Sequence, residues 1–338
     1  MPRDTVPQDI VELAEARANA RRARDWATAD DLLVQIEAAG WKVIDTGTLY
    51  DLERSAPPDV VADGVVRFGS SASVPSRLDE ATTGIATVIL VATDWPSDLA
   101  RAQRSLLRHA PSGTQVVIVA NAPSDEQTAA LEAIDDRDAA AAGLTTEIVR
   151  TAVRLGHAAA LNAGIRRAAA RVVMVLDTSV EPEGDLVSAL AAALEDDTVA
   201  IAGAFGVVSD DLRSFADAAP GTVDVDAIEG YAMAFRRTDY VARGPLDEHF
   251  VFYRNLDIWW SLVLRDQGEH DPDDAPPRRA VRVTSVPVVR HEQREWGGMP
   301  AGQRDRLSKK NYYRVLKRFA SRRDLLVRNL QQELRPRP

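Results

Sequence analysis

Short predicted strands alternate with longer segments of helical periodicity between residues 86 and 205. The predicted strands are TVILVAT, QVVIVAN, TEIVR, VVMVL and VAIAGAF, with a helix predicted in each interval. Strands that alternate with helices of this length form right-handed βαβ units on a mostly parallel sheet. The sequence therefore predicts an α/β domain whose sheet is flanked by helices.

One of these strands ends directly on a carboxylate. VVMVL is followed by Asp177 and then by the turn-forming residues TSVEP. In open α/β sheets the ligand crevice lies outside the carboxyl ends of the strands, so Asp177 is well placed to meet a phosphorylated substrate or its metal ion. The alternative is that Asp177 only caps the turn, since Asp and Ser are favoured in turns for local reasons.

Composition and absent motifs exclude several classes of protein. The 338 residues include no cysteine, which excludes disulfides, thiolate nucleophiles and cysteine-bound zinc. No apolar run reaches the roughly 20 residues of a membrane span, and the first residues lack a signal-peptide core, so we expect a cytoplasmic protein. No G-x-G-x-x-G follows the first strand and no P-loop motif occurs, which disfavours dinucleotide enzymes and P-loop NTPases.

Charge is unevenly distributed along the chain. The net charge of −10 argues against general nucleic-acid binding, so no nucleic-acid partner is expected. Residues 304–337 nevertheless carry twelve lysine and arginine residues against only Asp305, Asp324 and Glu333. Such a tail contacts an anionic membrane surface or a polyanionic partner, or is a solvated helix face packed by its Leu and Tyr residues. Peripheral membrane contact is therefore left open.

Residues 1–50 are predicted to form a small helical module. Apolar residues at helical spacing predict two helices within 8–39, which end at Gly40 before the strand WKVID. The pattern DWATADDL followed by AAGWKVIDTGTLYDLE resembles the small carboxyl-terminal module of cysteinyl-tRNA synthetases, which helps hold tRNA in that family. Here no synthetase catalytic domain accompanies it and acidic residues stand among its arginines. We therefore interpret it as a packing or homodimerisation module.

The rest of the chain divides into three predicted parts. Residues 51–85 are rich in Pro, Ser and Gly and are predicted to be a linker. Residues 86–300 form the predicted α/β domain, and residues 301–338 a basic carboxyl-terminal helix.

Four motifs in the α/β domain resemble those of family 2 glycosyltransferases, which have the GT-A fold. TVILVATDWPSDLARAQRSLLRHAP resembles the first βα unit, and QVVIVANAPSDE the second strand with its V-D-N-G-S turn. RLGHAAALNAGIRRAAARVVMVLDTSVEP matches the helix that leads into L-D-x-D-x-x-P, and EGYAMAFRRTDYVARGPLDEHFVFYRNLDIWWSLVLRDQG resembles the acceptor-side segment. The resemblance implies transfer of a sugar, with inversion, from a UDP-, GDP- or dTDP-sugar to a hydroxyl acceptor.

The resemblance also implies a donor site. Asp177 stands at the first Asp of D-x-D, Ser179 at the second, and His291 where many members carry a downstream His. A divalent cation, Mn²⁺ or Mg²⁺, held by Asp177 and His291 would stabilise charge on the leaving diphosphate; a buried structural role is the alternative for His291. The remaining donor-side candidates are Asp94, Asn121, Asn162 and Arg254.

An inverting transferase also needs a carboxylate base on the acceptor side. Arg254 and Asn255 replace the family's E-D pair, and neither side chain accepts a proton at neutral pH. Asp257 matches the next Asp of the family's segment and is the predicted base; its alternative role is to stabilise a helix N-terminus. The other acceptor-side candidates are Asp226 and Glu229, and Trp259 and Trp260, which either stack on a sugar or belong to the core.

Three departures from the family pattern support a second interpretation. Ser179 replaces the second Asp of D-x-D, Ala120 replaces the uracil-contacting Asp, and Arg254 with Asn255 replaces E-D. The domain is thus predicted to be an active glycosyltransferase or a degenerate one that binds nucleotide or glycan as a scaffold. RNA binding through the helical module and the basic tail is a third, weaker interpretation.

Overall fold

The computed structural model describes residues 6–46, 49–92, 94–267 and 276–329. The chain divides into two compact units, Met1–Asp59 and Val60–Pro338. None of the described helices combines the length and apolarity of a membrane span.

The first unit is a helical hairpin followed by a two-stranded sheet, which confirms the predicted hairpin. Its elements are α1 (Gln8–Arg22), α2 (Trp26–Ala38), β1 (Trp41–Thr46) and β2 (Leu49–Arg54). Asp25 ends the turn between the helices and accepts a 3.2 Å hydrogen bond from the N–H of Thr28, so it caps α2. Ile10, Ile36 and Trp41 form the core of the unit. Homodimerisation through this unit stays a prediction.

The segment 60–85 belongs to the second unit rather than to a separate linker. Its hairpin consists of β3 (Val60–Ala62) and β4 (Val65–Arg67). Beyond the hairpin, the N–H of Phe68 donates to the carbonyl of Arg150, and the N–H of Thr83 donates to the carbonyl of Ala169. Pro, Ser and Gly here reflect an irregular backbone laid against the domain, so composition alone misplaces the boundary.

The second unit contains the remaining elements. The strands are β5 (Ala86–Ala92), β6 (Gln115–Ala120), β7 (Thr145–Arg150), β8 (Val172–Leu176), β9 (Val180–Pro182), β10 (Val199–Gly203), β11 (Gly206–Ser209), β12 (Phe215–Asp217), β13 (Asp224–Val225), β14 (Ala227–Ile228), β15 (Ala232–Arg236), β16 (Arg279–Arg282) and β17 (Val288–Arg290). The helices are α3 (Pro96–His109), α4 (Asp125–Glu132), α5 (Asp136–Ala141), α6 (His157–Ile165), α7 (Leu186–Ala193), α8 (Arg237–Arg243), α9 (Leu256–Arg265), α10 (Arg294–Gly298) and α11 (Ala301–Phe319), with a 3₁₀ turn at Arg323–Leu325.

Eight strands form the main sheet in the order β13-β16-β10-β15-β8-β5-β6-β7. Strands β5 to β8 are mutually parallel, whereas β15 lies antiparallel between β8 and β10. Apolar residues of α6 and α9 cover one face, and those of α3 and α7 cover the other. This confirms the predicted α/β fold with a mostly parallel sheet flanked by helices.

The basic carboxyl-terminal helix is shorter than the predicted 301–338. Helix α11 ends at Phe319, and a turn follows before the 3₁₀ segment. Val315 and Phe319 are buried in the core, which fixes one face of the helix against the domain. The predicted basic residues Arg335 and Arg337 lie outside the described residues.

Candidate functional site

Two adjoining clefts open at the carboxyl end of β8. The large cleft has a volume of about 290 Å³, and its walls come from β8, the connection between β14 and β15, the start of α9, and Tyr312 of α11. The small cleft, of about 130 Å³, lies at the ends of β5 and β6. His157, Asp177 and Gly230 line both. This is the sheet edge at which the sequence predicts ligand binding.

Asp177 both shapes the turn and faces the clefts. Its Oδ1 accepts hydrogen bonds from the N–H of Ser179 at 2.8 Å and from the Oγ of Ser179 at 2.5 Å. Its Oδ2 lies 3.5 Å from Nε2 of Gln293. Burial raises the pKa of Asp177 above its ordinary value, and the hydrogen bonds from Ser179 oppose that rise. The two roles predicted for Asp177 therefore coexist.

Asp257 faces the large cleft from the first turn of α9. Its Oδ2 accepts a 2.9 Å hydrogen bond from the N–H of Gly230, and its Oδ1 accepts one of 2.9 Å from the N–H of Ile258. Burial raises the pKa of Asp257, and the two backbone donors oppose the rise. A Cβ on Gly230 would lie 3.3 Å from the Cβ of Asp257, so the close approach favours glycine there.

Glu229 is a third carboxylate in the large cleft. The guanidinium of Arg290 lies 3.7 Å from the Glu229 carboxylate and 4.0 Å from the centre of the Tyr231 ring. Burial raises the pKa of Glu229, the positive charge of Arg290 lowers it, and the negative charge of Asp257 raises it further. Arg213 and Arg254 bring two more guanidinium groups to the lining.

His157 is a cleft residue that the sequence analysis misses. It is the first residue of α6, and its N–H donates to the carbonyl of Val251 at 3.0 Å. Its ring packs edge-on against Tyr253, with 6.1 Å between ring centres. Burial lowers the pKa of His157 to about 4, so the imidazole is neutral near pH 7. A histidine that begins an otherwise apolar helix, HAAALNAGI, is the signal that could have found it.

Comparison with known families assigns the segment that builds these clefts. Residues 87–251 match the family model described as glycosyl transferase family 2. The predicted resemblance to family 2 glycosyltransferases is confirmed for these residues. The match covers α6 and β8 with Asp177, and it ends just before α9.

One solved structure supports this fold. The chain is similar to the crystal structure of GalNAc-T7 with UDP, GalNAc and Mn²⁺, with a TM-score of 0.53 and 17% identity over 71% of this chain and 48% of that chain. It is also similar to the mannosyltransferase PcManGT from Pyrobaculum calidifontis in complex with GDP-Man and Mn²⁺, with a TM-score of 0.45 and 18% identity over 67% and 62% of the two chains. At such identity the likeness to GalNAc-T7 shows the GT-A fold alone.

The amino-terminal region matches a different protein. A stretch of 52 residues is 46% identical to the cysteine–tRNA ligase of Opitutus terrae, which is 15% of this chain and 11% of the ligase. The chain thus spans about a ninth of the ligase and about half of GalNAc-T7. The resemblance of the helical module to cysteinyl-tRNA synthetases is confirmed.

One predicted donor residue, Asn121, lines the small cleft, and another, Asp94, contacts its wall. Asn121 lines it, and its carboxamide accepts from the N–H of Leu155 at 2.8 Å and donates to the carbonyl of Leu155 at 3.0 Å. Asp94 accepts from the N–H of Ser124 at 2.9 Å and forms a 2.6 Å ion pair with Arg154, which lines the cleft. Asn121 and Asp94 thus fix this wall of the small cleft by hydrogen bonds and an ion pair, and Arg154 brings a positive charge to it.

Asn162, predicted to bind donor, is a buried structural residue of α6. Its Oδ1 accepts from the hydroxyl of Tyr240 at 2.9 Å and from the N–H of Leu246 at 3.0 Å. Its Nδ2 donates to the carbonyl of Leu246 and to the carboxylate of Glu248. With its hydrogen-bonding capacity used and only 2% of its surface exposed, Asn162 fastens the chain after α8 to α6 and lines neither cleft.

The metal site predicted at Asp177 and His291 stays a prediction, and His291 itself contacts Glu181 and Ser179. The Nε2 of His291 lies 2.9 Å from Oε2 of Glu181, and its N–H donates to the carbonyl of Ser179. This holds the ring beside the β9–β17 pair, and it lines neither cleft. Within the described residues, no group of three or more His, Asp or Glu side chains could hold a metal ion. Among these residues, a metal centre built by the protein alone finds no support, so we assign no chemical step to a metal.

Three predicted acceptor-side residues are structural. Both carboxylate oxygens of Asp226 accept backbone N–H groups, from Ser209 and Val327 at 2.8 Å each, and only 2% of the residue is exposed. Trp260 lies in the core against Phe235 and Tyr240, with ring centres 5.4 and 5.9 Å away.

Trp259 packs against Phe319 of α11, with 5.4 Å between ring centres. Trp259, two positions beyond Asp257, projects from the other side of α9, and neither tryptophan lines a cleft. The predicted site residues that the fold brings together at the large cleft are Asp177, Glu229, Arg254 and Asp257.

Proposed function

We propose that the family 2 domain transfers a sugar from a nucleotide-diphosphate donor to a hydroxyl acceptor, with inversion at the anomeric carbon. The observation that carries the proposal is the convergence of Asp177 and Asp257 on one cleft of a domain that matches this family. One carboxylate comes from a strand end and the other from a helix start, so they face the cleft from different walls.

The donor occupies the small cleft in this proposal. Arg154 and Asn121 border the space for the nucleotide, and Asp177 stands where the small cleft joins the large one. The GalNAc-T7 structure contains UDP and Mn²⁺, and we extend the proposal to UDP-, GDP- and dTDP-sugars. Negative charge grows on the diphosphate as the sugar leaves. The guanidinium groups of Arg254 and Arg213 in the large cleft would stabilise this charge, and no step is assigned to a metal.

The acceptor hydroxyl loses its proton to Asp257. Two of the roughly four lone pairs of this carboxylate accept backbone N–H groups, which leaves acceptor capacity for a substrate hydroxyl. The raised pKa of Asp257 makes it a stronger base than an exposed aspartate, as a general base requires. Glu229, held beside it by Arg290, would bind another acceptor hydroxyl.

The test is a transfer and donor-hydrolysis assay with the three donor classes, with and without Mn²⁺. We expect wild-type turnover of at least one donor and a loss of turnover in Asp177→Asn. The matched control is Asp138→Asn, an exposed aspartate of α5, which should behave as wild type. If wild type and Asp177→Asn are equally inert and calorimetry detects no donor binding, the proposal fails.

A second candidate function is nucleotide or glycan binding without turnover. One observation favours it. The position at which the family has a second carboxylate is Ser179, and the hydroxyl of Ser179 donates a hydrogen bond to Asp177. Saturable binding of UDP, GDP or dTDP by wild type, without transfer to any acceptor or hydrolysis, would support this function. Measurable transfer would exclude it.

A further inference from the structure

Five exposed side chains form a stripe along α11. Their spacing of i, i+3, i+4, i+7 and i+11 places them within about a third of the helix circumference. We call this set the cationic stripe: Arg306, Lys309, Lys310, Tyr313 and Lys317. Tyr313, in its middle, is 65% exposed, which is unusual for a large aromatic side chain.

The opposite side of α11 is fixed against the domain, so the stripe has a defined direction. Val315 and Phe319 are buried, and Nδ2 of Asn311 donates to the carbonyls of Phe252 at 2.7 Å and Arg254 at 2.8 Å. These contacts prevent the helix from turning its charged face inward.

The cations of the stripe differ from the other basic residues of the helix. Arg314 pairs with Asp247 at 3.1 Å, and Arg318 pairs with Asp266 at 3.4 Å. Across the described ranges, by contrast, no carboxylate lies within 4.0 Å of the four stripe cations. The one acidic residue of α11 is Asp305, a turn before Lys309. In a chain of net charge −10, this concentration of uncompensated positive charge is local.

We propose that the cationic stripe docks the protein onto an anionic lipid bilayer. Lysine and arginine near such a surface are attracted to its headgroups, and an exposed tyrosine among them is stabilised at headgroup level. A nucleic acid would use the same cations, but it would account for the exposed tyrosine only if an unpaired base stacked on that side chain. A bilayer accounts for all five side chains without that requirement, and we therefore take it as the partner.

Docking through this face would bring the large cleft beside the bilayer. Tyr312, the neighbour of Tyr313, lines that cleft, and its hydroxyl donates to the carbonyl of Arg213 at 2.6 Å. The helix that carries the stripe is thus also part of the cleft wall. The proposal concerns an interaction surface and does not depend on glycosyl transfer.

The experiment is flotation of the full chain with vesicles of phosphatidylcholine alone or mixed with phosphatidylglycerol. We expect binding to the mixed vesicles that weakens with added salt, and little binding to neutral ones. The quadruple variant R306Q/K309Q/K310Q/K317Q should lower the partition coefficient by more than about a hundredfold, because each cation contributes roughly fivefold. The pair K309Q/K310Q should lower it about 25-fold.

The matched control is R104Q/R108Q, which removes two exposed cations from α3 in the same unit. It should bind as wild type does, and circular dichroism should show the same helix content for all variants. Equal binding by wild type and the quadruple variant would overturn the proposal, as would absence of binding to anionic vesicles.

A parallel titration with tRNA distinguishes the other polyanion. Tyr313→Ala should weaken vesicle binding, and wild type should bind the vesicles more tightly than it binds tRNA. Binding of tRNA that depends on the stripe, without binding to vesicles, would overturn the proposal in favour of a nucleic-acid partner.

Discussion

The two aspartates of the large cleft are held in different ways. Asp177 takes its shortest hydrogen bonds from Ser179, two residues away, whereas Asp257 accepts the N–H of Gly230, 27 residues away in the chain. Burial raises the pKa of both. The local turn can position Asp177 by itself, but the position of Asp257 depends on tertiary structure. Different variants can therefore disturb the hydrogen bonds that position each aspartate.

The largest expected effect is on catalysis in Asp257→Asn. We expect kcat/KM for transfer to fall by roughly 10²–10⁴-fold, because an amide cannot accept the acceptor's proton. Wild-type kcat/KM should also fall as the pH is lowered through the raised pKa of Asp257, and the variant should lack this dependence. A variant that keeps wild-type kcat/KM would show that Asp257 is only a helix-terminal residue.

The next prediction concerns the pH dependence of stability, which has opposite signs for His157 and for the two aspartates. The pKa of His157 is about 4 in the folded protein and 6.5 ordinarily, so its contribution to stability is present above pH 6.5 and is lost as the pH falls towards 4. The aspartates act oppositely: their raised pKa gives stability that is present below 3.8 and is lost as the pH rises through the raised values.

Denaturant titrations at several pH values measure this difference. Between pH 7 and pH 4, the shifted pKa of His157 should lower the free energy of unfolding of wild type by up to about 3 kcal/mol. The His157→Asn variant should lack this loss. Identical profiles for His157→Asn and wild type would contradict the assignment of a buried neutral imidazole.

Gly230→Ala disturbs the support of Asp257 and should spare that of Asp177. The added methyl would meet Asp257 at 3.3 Å, so we expect a loss of about tenfold in kcat/KM and about 1 kcal/mol in the free energy of unfolding. Gly302→Ala places its methyl in open space and serves as the control. If both variants transfer sugar equally well, the contact with Gly230 does not position Asp257 for catalysis.

The smallest effect tests the support of Asp177. Ser179→Ala removes the hydroxyl donor and leaves the backbone donor, so we expect about 1 kcal/mol less stability and a further rise in the pKa of Asp177. Urea denaturation, with the exposed Ser321→Ala as control, measures the first, and NMR titration of the carboxyl measures the second. An unchanged Asp177 titration would mean that the Ser179 hydroxyl contributes nothing to the pKa of Asp177.

The contrast also explains what the sequence can predict. The strand before Asp177 is a run of buried residues followed by a turn, and every part of that signal is local. The roles of Asn162 and Asp226 depend on partners 84 and 101 residues away, Leu246 and Val327, which no local pattern reveals. Residue type alone therefore predicts that these polar side chains bind substrate, whereas in the structure they hold core segments together.

Part of the assignment of residues on α9 could have been predicted from the sequence. The helical phase of α9 separates Asp257 from Trp259, two positions on, so spacing already distinguishes this packing residue from a cleft residue. Trp260, three positions on, shares the face of Asp257, and only its contacts with Phe235 and Tyr240 assign it to the core. The place of β15 within the sheet is different, because it requires knowing that an antiparallel strand inserts between β8 and β10. That pairing is settled by long-range packing.

The contacts of Asn311 with the carbonyls of Phe252 and Arg254 have a consequence for biosynthesis. The ribosome delivers Asp177, Glu229 and Asp257 well before Asn311 and Tyr312 emerge. A nascent chain that ends short of α11 therefore carries the carboxylates of the large cleft without the side chains that complete its wall. Completion of the cleft therefore requires that α11 has been synthesised.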